Sequence, residues 1–244
     1  MKYLIATIPR TGSSLLCELL RRNGLGDPKE HFNYWFGNSG FCFALANATP
    51  TEQYLEAMEA RDTRDGVFST KIMADWLEYM RGNMRTPTPH DGAMFQTLFP
   101  GRPVIFLTRQ DRVLQAISMV RAKKSEQFWR FKDESPANWD GKINLLEIHQ
   151  HISFTVTSEG RWRTLFHQAG ITPLHLTYEE LTADPSATLV RIFSHLGRPA
   201  PARFDITTDL AQQRDELSEK IRRFYLESME RKLIESMRRH REIL

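Results

Sequence analysis

The chain predicts a three-layer α/β/α domain built on a mostly parallel central sheet, and three observations lead there. Four short apolar runs, residues 2–8, 67–72, 103–108 and 173–178, have the aliphatic and aromatic character of buried strands. Stretches with helical spacing of apolar residues lie between them, and strands that alternate with helices build parallel sheets covered on both faces. The first run passes through a loop of small residues into an amphipathic helix, with Leu15, Leu16, Leu19 and Leu20 on one face.

Taken in order, Pro9 ends the first strand because it has no N–H to donate. Gly12 permits a tight turn, Ser13 is a good N-cap, and Asn23-Gly24 closes the helix. Residues 25–40, rich in Gly, Asn and aromatics, read as an irregular loop. A helix over 51–61, capped by Thr51, precedes the second strand, and a helical stretch over 75–83 follows it. The Pro- and Thr-rich 86–92 segment is turn material, and a short helix over 93–99 leads into the third strand. Asp111 caps the next helix. Residues 123–141 are charged, with Phe128, Trp129, Phe131 and Trp139 among them. A long helix over 143–168 ends at Gly170. After the fourth strand, Asp184-Pro185 puts cap and N1 proline in the right order for a helix to Leu196. Residues 198–209 are extended, and 210–243 form one long charged helix. The expected organisation is one α/β domain over residues 1–209, with residues 210–244 as a C-terminal helix packed on it or on a second subunit, which would make a homodimer.

Composition narrows the class. With 244 residues, 41% hydrophobic and 26% charged, the chain is an ordinary globular protein. A net charge of +3 is too small for a nucleic-acid or polyanion binder, yet it allows a local basic pocket. The two cysteines, Cys17 and Cys42, make no disulfide framework, and no paired Cys/His spacing suggests a metal. His149 and His151, two apart on a helix, face different ways. Two thiols without a framework make a reducing, cytoplasmic setting the expectation. The first apolar run is too short for a signal peptide, and no stretch reaches transmembrane length.

The strand, small-residue loop and helix at Arg10-Thr11-Gly12-Ser13-Ser14 make an anion site by geometry. First-turn amides lack partners, and the helix dipole adds roughly half a positive charge. Arg10, Ser13 and Ser14 bring side-chain donors. The loop is not a Walker A motif: Ser13 stands where its Lys belongs and Thr7 where its first Gly belongs. A nucleotide with one phosphate at its 5′ side fits better than a triphosphate, although an ordinary βα turn has a similar make-up. Arg109 leaves the third strand, and Ser118 lies about two turns into the next helix. Together they can grasp a second phosphate; an Arg109–Asp111 ion pair with a solvated Ser118 is the plainer alternative.

Both motifs together form the pattern of sulfotransferases, and more narrowly the chain resembles the bacterial trehalose 2-sulfotransferase family. The resemblance rests on Arg10-Thr11-Gly12-Ser13-Ser14-Leu15-Leu16, Asp27-Pro28-Lys29-Glu30-His31-Phe32 and Lys71-Ile72-Met73. It continues through Arg109-Gln110-Asp111 with Gln115-Ala116-Ile117-Ser118, Gly160-Arg161-Trp162 and Gln212-Gln213-Arg214-Asp215. It implies a P-loop-like phosphosulfate-binding loop and 3′-phosphoadenosine 5′-phosphosulfate (PAPS) as donor. Residues Arg10 to Ser14 would surround the 5′-phosphosulfate, Arg109 and Ser118 would hold the 3′-phosphate, and Glu30 would be the general base. It implies a hydroxyl of a carbohydrate or glycolipid as acceptor. Aromatics beside the Glu30 carboxylate, Phe32 among them, suit a sugar ring, which puts Glu30 and Phe32 on the acceptor side. No metal is expected, because the donor carries one transferred anionic group and no carboxylate pair stands ready to hold Mg²⁺. The chain departs from the pattern at Pro9 and at Thr108-Arg109-Gln110, and residues 44–64 and 123–141 match poorly.

The chemistry supports Glu30 separately. Sulfuryl transfer to an alcohol needs the hydroxyl proton removed, and a carboxylate among His31, Phe32, Tyr34, Trp35 and Phe36 is partly desolvated, which raises its pKa. His31 is the rival base because its free pKa is near neutral. Lys71, at a strand's carboxyl end, is placed to offset charge on the leaving phosphate or on the sulfuryl oxygens, or is a surface lysine. The other readings are a P-loop-type nucleotide kinase or hydrolase and a non-catalytic nucleotide-binding scaffold.

Overall fold

A computed structural model describes residues 1–33, 49–137, 139, 142–211, 213 and 215–241 of the chain, with side chains to residue 236. Tyr34, Trp35 and Phe36, expected beside Glu30, lie outside the described residues, as do Cys42, Gln212 and Arg214. The elements run β1 (Lys2–Thr7), α1 (Ser13–Arg22), α2 (Thr51–Asp62), β2 (Phe68–Met73), α3 (Leu77–Gly82), α4 (Asp91–Leu98) and β3 (Val104–Thr108). They continue with α5 (Arg112–Ser125), α6 (Leu145–Ala169), β4 (Leu174–Thr177), α7 (Tyr178–Ala183), α8 (Pro185–His195) and α9 (Glu216–Arg241).

The four strands form one sheet in the order β2-β1-β3-β4, every pair parallel. From β1 the chain steps outward to β2, then returns to β3 on the other side of β1. That reversal creates a topological switch point between β1 and β3, where open parallel sheets hold their ligands beyond the strand carboxyl ends.

The chain divides into two compact units, one of Met1–Gln110 with Thr155–Thr208, the other of Asp111–Phe154 with Asp209–Leu244. In the first unit the period-2 alternation of the strands feeds two separate cores. Leu4, Ala6, Phe68, Ile72, Val104 and Phe106 pack with Tyr54, Leu55, Leu77, Met80, Phe95, Trp162 and Phe166. Tyr3, Ile5, Ile105, Leu107 and Leu176 pack with Leu16, Leu19, Leu20, Leu189 and Ile192. One sheet face is thus covered by α2, α3, α4 and α6 and the other by α1 and α8, which is the expected three-layer arrangement. In the second unit Tyr225, Ile221 and Met229 of α9 pack on Leu114 and Ile117 of α5 and on Ile148. Asp111 pairs there with Arg222 at 2.7 Å, and Arg121 pairs with Asp215 at 2.5 Å.

Local chemistry follows expectation at some caps and departs from it at others. Asp111 and Asp184 accept from the amides of Leu114 and Ala187, each at 2.8 Å, as N-caps do. Ser13, expected as a cap, is instead the first residue of α1; Gly12 takes the cap position in a left-handed conformation, with no side-chain hydrogen bond. Thr51 is likewise the first residue of α2, and its hydroxyl donates to the carbonyl of Met80 at 2.8 Å. The fourth strand stops at Thr177, because Thr177 and Glu180 form a reciprocal capping box that starts α7 at Tyr178. The last helix begins at Glu216 rather than near residue 210. Among the described residues no helix is long and apolar enough to cross a membrane.

Candidate active site

The loop after β1 is set by two left-handed residues, Arg10 with φ 68° and Gly12 with φ 79°. Between them Thr11 is fully buried, its Oγ1 2.6 Å from Thr7 Oγ1 and 3.0 Å from the carbonyl oxygen of Ile8. Thr7 Oγ1 in turn donates to the carbonyl of Leu107 on β3 at 3.1 Å. These hydroxyls fasten the loop to the sheet, so the Thr11 side chain, expected at the cofactor, serves as an anchor. Ser13 is buried and Ser14 exposed on the first turn of α1, where unpartnered amides favour an anion.

Arg109 emerges from the carboxyl end of β3 and is buried, 8% exposed. Its Nη1 donates to the carbonyl of Arg10 at 3.4 Å, and its guanidinium lies 4.5 Å from the ring centre of Tyr178. The same ring closes on the loop at Gly12. A Cβ on Gly12 would stand 2.5 Å from Tyr178 Cδ2. The backbone of Gln110 donates to Glu179 Oε2 at 3.0 Å. The loops after β1, β3 and β4 therefore meet at one edge, which carries Arg10, Arg109 and Tyr178. Ser118 is half-buried on α5 and belongs to the second unit.

Glu30 is positioned by backbone. Lys29 bridges Thr70 in parallel fashion, and the Lys71 amide donates to the Lys29 carbonyl at 2.8 Å, so this segment extends the sheet beside β2. Lys71 lies within β2, paired with Ile5, rather than at the strand's carboxyl end. Its Nζ is 2.8 Å from Glu30 Oε1 and 3.4 Å from Ser13 Oγ, with the side chain only 6% exposed. The loop lacks a lysine of its own, and β2 delivers an ammonium to the first residue of α1 instead.

Asn33 Nδ2 donates to the other Glu30 oxygen at 2.8 Å. Burial pushes the Glu30 carboxyl up, but attraction to Lys71 and hydrogen bonds from Lys71 and Asn33 outweigh it, and the net shift is downward. This reverses the expected rise: desolvation is present, but a buried ammonium answers it. Burial likewise lowers Lys71, and the charge of Glu30 raises it further, so the net shift is upward.

His31 is placed differently from a base. It is buried, with Nδ1 2.9 Å from Thr70 Oγ1 and Nε2 3.2 Å from Asp62 Oδ2. Burial pushes it down to about 4 against the opposing pull of Asp62. Asp62 itself, raised by burial, is brought down to about 2 by hydrogen bonds from Arg61 and Lys29 at 2.6 and 2.9 Å. The imidazole braces the Glu30 segment against β2 and α2. Phe32, expected to touch the acceptor, is instead fully buried in the core, edge-on to Tyr54 and Phe99. A phenyl ring between two strongly apolar neighbours gains more there than in a wet cleft. Trp162 is core as well, stacked on Phe166, and its Nε1 donates to the Thr7 carbonyl at 2.9 Å, directly under the loop.

Sequence reasoning did not single out Tyr178 or Asn33. Thr177-x-x-Glu180 is the signal that would have found the first, since a capping box there starts a helix at the carboxyl end of the fourth strand. Among the described residues no cluster of three or more His, Cys, Asp or Glu side chains is arranged to hold a metal ion.

The family model described as Stf0 sulphotransferase matches residues 2–227. A trehalose 2-sulfotransferase of Mycobacterium tuberculosis (strain ATCC 35801 / TMC 107 / Erdman) is 26% identical to the chain, covering 82% of it and 87% of the relative. One of Mycolicibacterium smegmatis is 25% identical, covering 91% and 94%. A crystal structure of a sulfotransferase from Alicyclobacillus acidocaldarius superposes with a TM-score of 0.52, covering 92% of this chain and 90% of that one at 14% identity.

Proposed function

The chain belongs to the Stf0 sulphotransferase family, and from that premise we propose that it transfers a sulfuryl group from PAPS to a hydroxyl of a carbohydrate or glycolipid. One observation carries the reading. The cationic and amide donors of this sheet edge are gathered at the switch point, with Arg109 Nη1 on the Arg10 carbonyl and Lys71 Nζ beside Ser13. Such a donor set suits a ligand with separated anionic groups, and PAPS supplies an activated sulfuryl group together with a 3′-phosphate. The amides of the Arg10–Ser14 loop, with Ser13 and Ser14, would hold the phosphosulfate, and Arg109 the 3′-phosphate, using its fork of donors. Tyr178 keeps that guanidinium in place.

Glu30 is the proposed base. Its side chain is 32% exposed, which leaves room for an acceptor hydroxyl, while its partner Lys71 is buried. General-base help of this kind is typically worth about 10² to 10⁴-fold. The names of the two mycobacterial relatives make trehalose the first acceptor to try.

The test is binding followed by turnover. Adenosine 3′,5′-bisphosphate, the product left by PAPS, is expected to raise the melting temperature by several degrees at about a hundredfold excess over Kd, equivalent to about 2.7 kcal/mol. Arg109→Ala should remove most of that gain. A wild-type protein that shows no shift at saturating ligand contradicts the proposal.

A further inference from the structure

We propose that Lys71 is a shared ammonium: it holds Glu30 silent in the free protein and is drawn to the donor when the donor binds, so that the base is unmasked only after the donor is in place. The inference rests on the function proposed above and adds an order of binding to it.

The observation is that one buried cation faces two sites. Lys71 Nζ touches Glu30 at 2.8 Å on one side and the first residue of α1, Ser13, at 3.4 Å on the other. A lysine ammonium has three donors on a four-carbon stem and turns between such partners at little cost. The other charged or titratable groups that act on this pair are Arg10 and Cys17, and Asp27 acts in turn on Cys17. Arg10 disfavours the ammonium, and burial pushes the Cys17 thiol up to about 11, so it is neutral near pH 7. Glu30 is therefore the principal anion that holds Lys71 in the free protein.

A phosphosulfate at the N-terminus of α1 brings more negative charge to Ser13 than Glu30 offers on the opposite side. Lys71 then turns toward the donor. Glu30 keeps the Asn33 hydrogen bond, loses its cation and gains an anionic neighbour, and each change strengthens it as a base. In the transfer step the acceptor oxygen forms a bond to sulfur and its proton passes to Glu30. The bond from sulfur to the 5′-phosphate oxygen breaks, and the electron pair stays on that oxygen, where Lys71 offsets the new charge.

The test follows the Glu30 carboxyl by NMR pH titration in ¹³C-glutamate-labelled full-length protein, assigned with Glu30→Gln, with and without adenosine 3′,5′-bisphosphate. Calorimetry verifies occupancy of the same samples. The wild-type midpoint is expected to rise on binding by about one pH unit or more, a tenfold change in proton affinity. In Lys71→Met the midpoint should already be high and should move less than half as far; Lys71→Gln serves if the methionine variant does not fold. An unchanged wild-type midpoint at proven occupancy overturns the inference and leaves the proposed function standing. An equal shift without the ammonium also overturns it, because simple repulsion by the ligand then explains the whole effect. A failure of the bisphosphate to bind wild-type protein overturns both.

Discussion

A β-carbon on Gly12 would stand 2.5 Å from Cδ2 of Tyr178, so the phosphate-type loop closes against an aromatic ring that arrives from the far end of the sequence. Gly12 also has φ 79°, a conformation that costs an L-residue about 1–2 kcal/mol. Gly12→Ala is therefore expected to lose about 2 kcal/mol or more of stability, strain and overlap together, and to weaken bisphosphate binding. Adding Tyr178→Ala to Gly12→Ala should restore the part due to overlap. Urea denaturation of these variants beside Tyr178→Ala alone checks this, and a Gly12→Ala cost that is the same with and without the ring would show that the ring is not the obstacle.

Tyr178 also lies under the Arg109 guanidinium. Replacing it with Leu removes a cation–π contact worth about 0.5–2 kcal/mol and leaves Arg109 less constrained. Bisphosphate affinity should fall by roughly threefold to thirtyfold, by the same energy range, while Tyr178→Phe, which keeps the ring, should bind nearly as wild type. Titration calorimetry on the three proteins separates these outcomes.

The His31 network makes stability depend on pH in a definite direction. His31 has its folded pKa lowered to about 4, mainly by burial, from an ordinary value of 6.5. Between these values the unfolded chain binds a proton that the folded protein does not, so the contribution is complete above 6.5 and is lost as pH falls toward 4. Going from about pH 7 to about pH 5 should cost on the order of 2 kcal/mol through this residue. His31→Gln should flatten that part of the stability profile; an unchanged slope would assign the loss to other groups.

Trp162 supports the loop from below, through its hydrogen bond to the Thr7 carbonyl and its stack on Phe166. Trp162→Phe keeps most of the packing and loses the donor, so about 1–3 kcal/mol is expected from the unsatisfied buried carbonyl and the smaller ring. Thermal and urea unfolding measure it. A change within a few tenths would mean that water or a neighbour takes over the bond.

Much of this was legible because the relevant signals are local. The four strands follow from runs of apolar residues, and the caps at Asp111 and Asp184 follow from side chains that bond amides within one turn. The closeness of Arg10 and Arg109 follows from a general rule of parallel sheets. What sequence did not reveal depends on partners far along the chain. Its apolar neighbours predict a raised pKa for Glu30, but the Lys71 ammonium that reverses the shift arrives 41 positions later, across a strand pairing. The neighbourhood of Phe32 in sequence points to the acceptor, whereas Tyr54 and Phe99 claim it for the core. Ser13 has the chemistry of a cap, yet the left-handed Gly12 takes the cap position, which moves Ser13 into the helix and toward Lys71.

The most direct measurement incubates wild-type protein and Glu30→Gln with ³⁵S-labelled PAPS and trehalose, and resolves the products by mass. Wild type should give labelled trehalose bearing one SO₃ group, and Glu30→Gln should bind adenosine 3′,5′-bisphosphate normally while its turnover falls by about 10² to 10⁴-fold. A Glu30→Gln variant with near-normal turnover, or wild-type protein that sulfates neither trehalose nor any carbohydrate or glycolipid in a mixed extract, would contradict the mechanism.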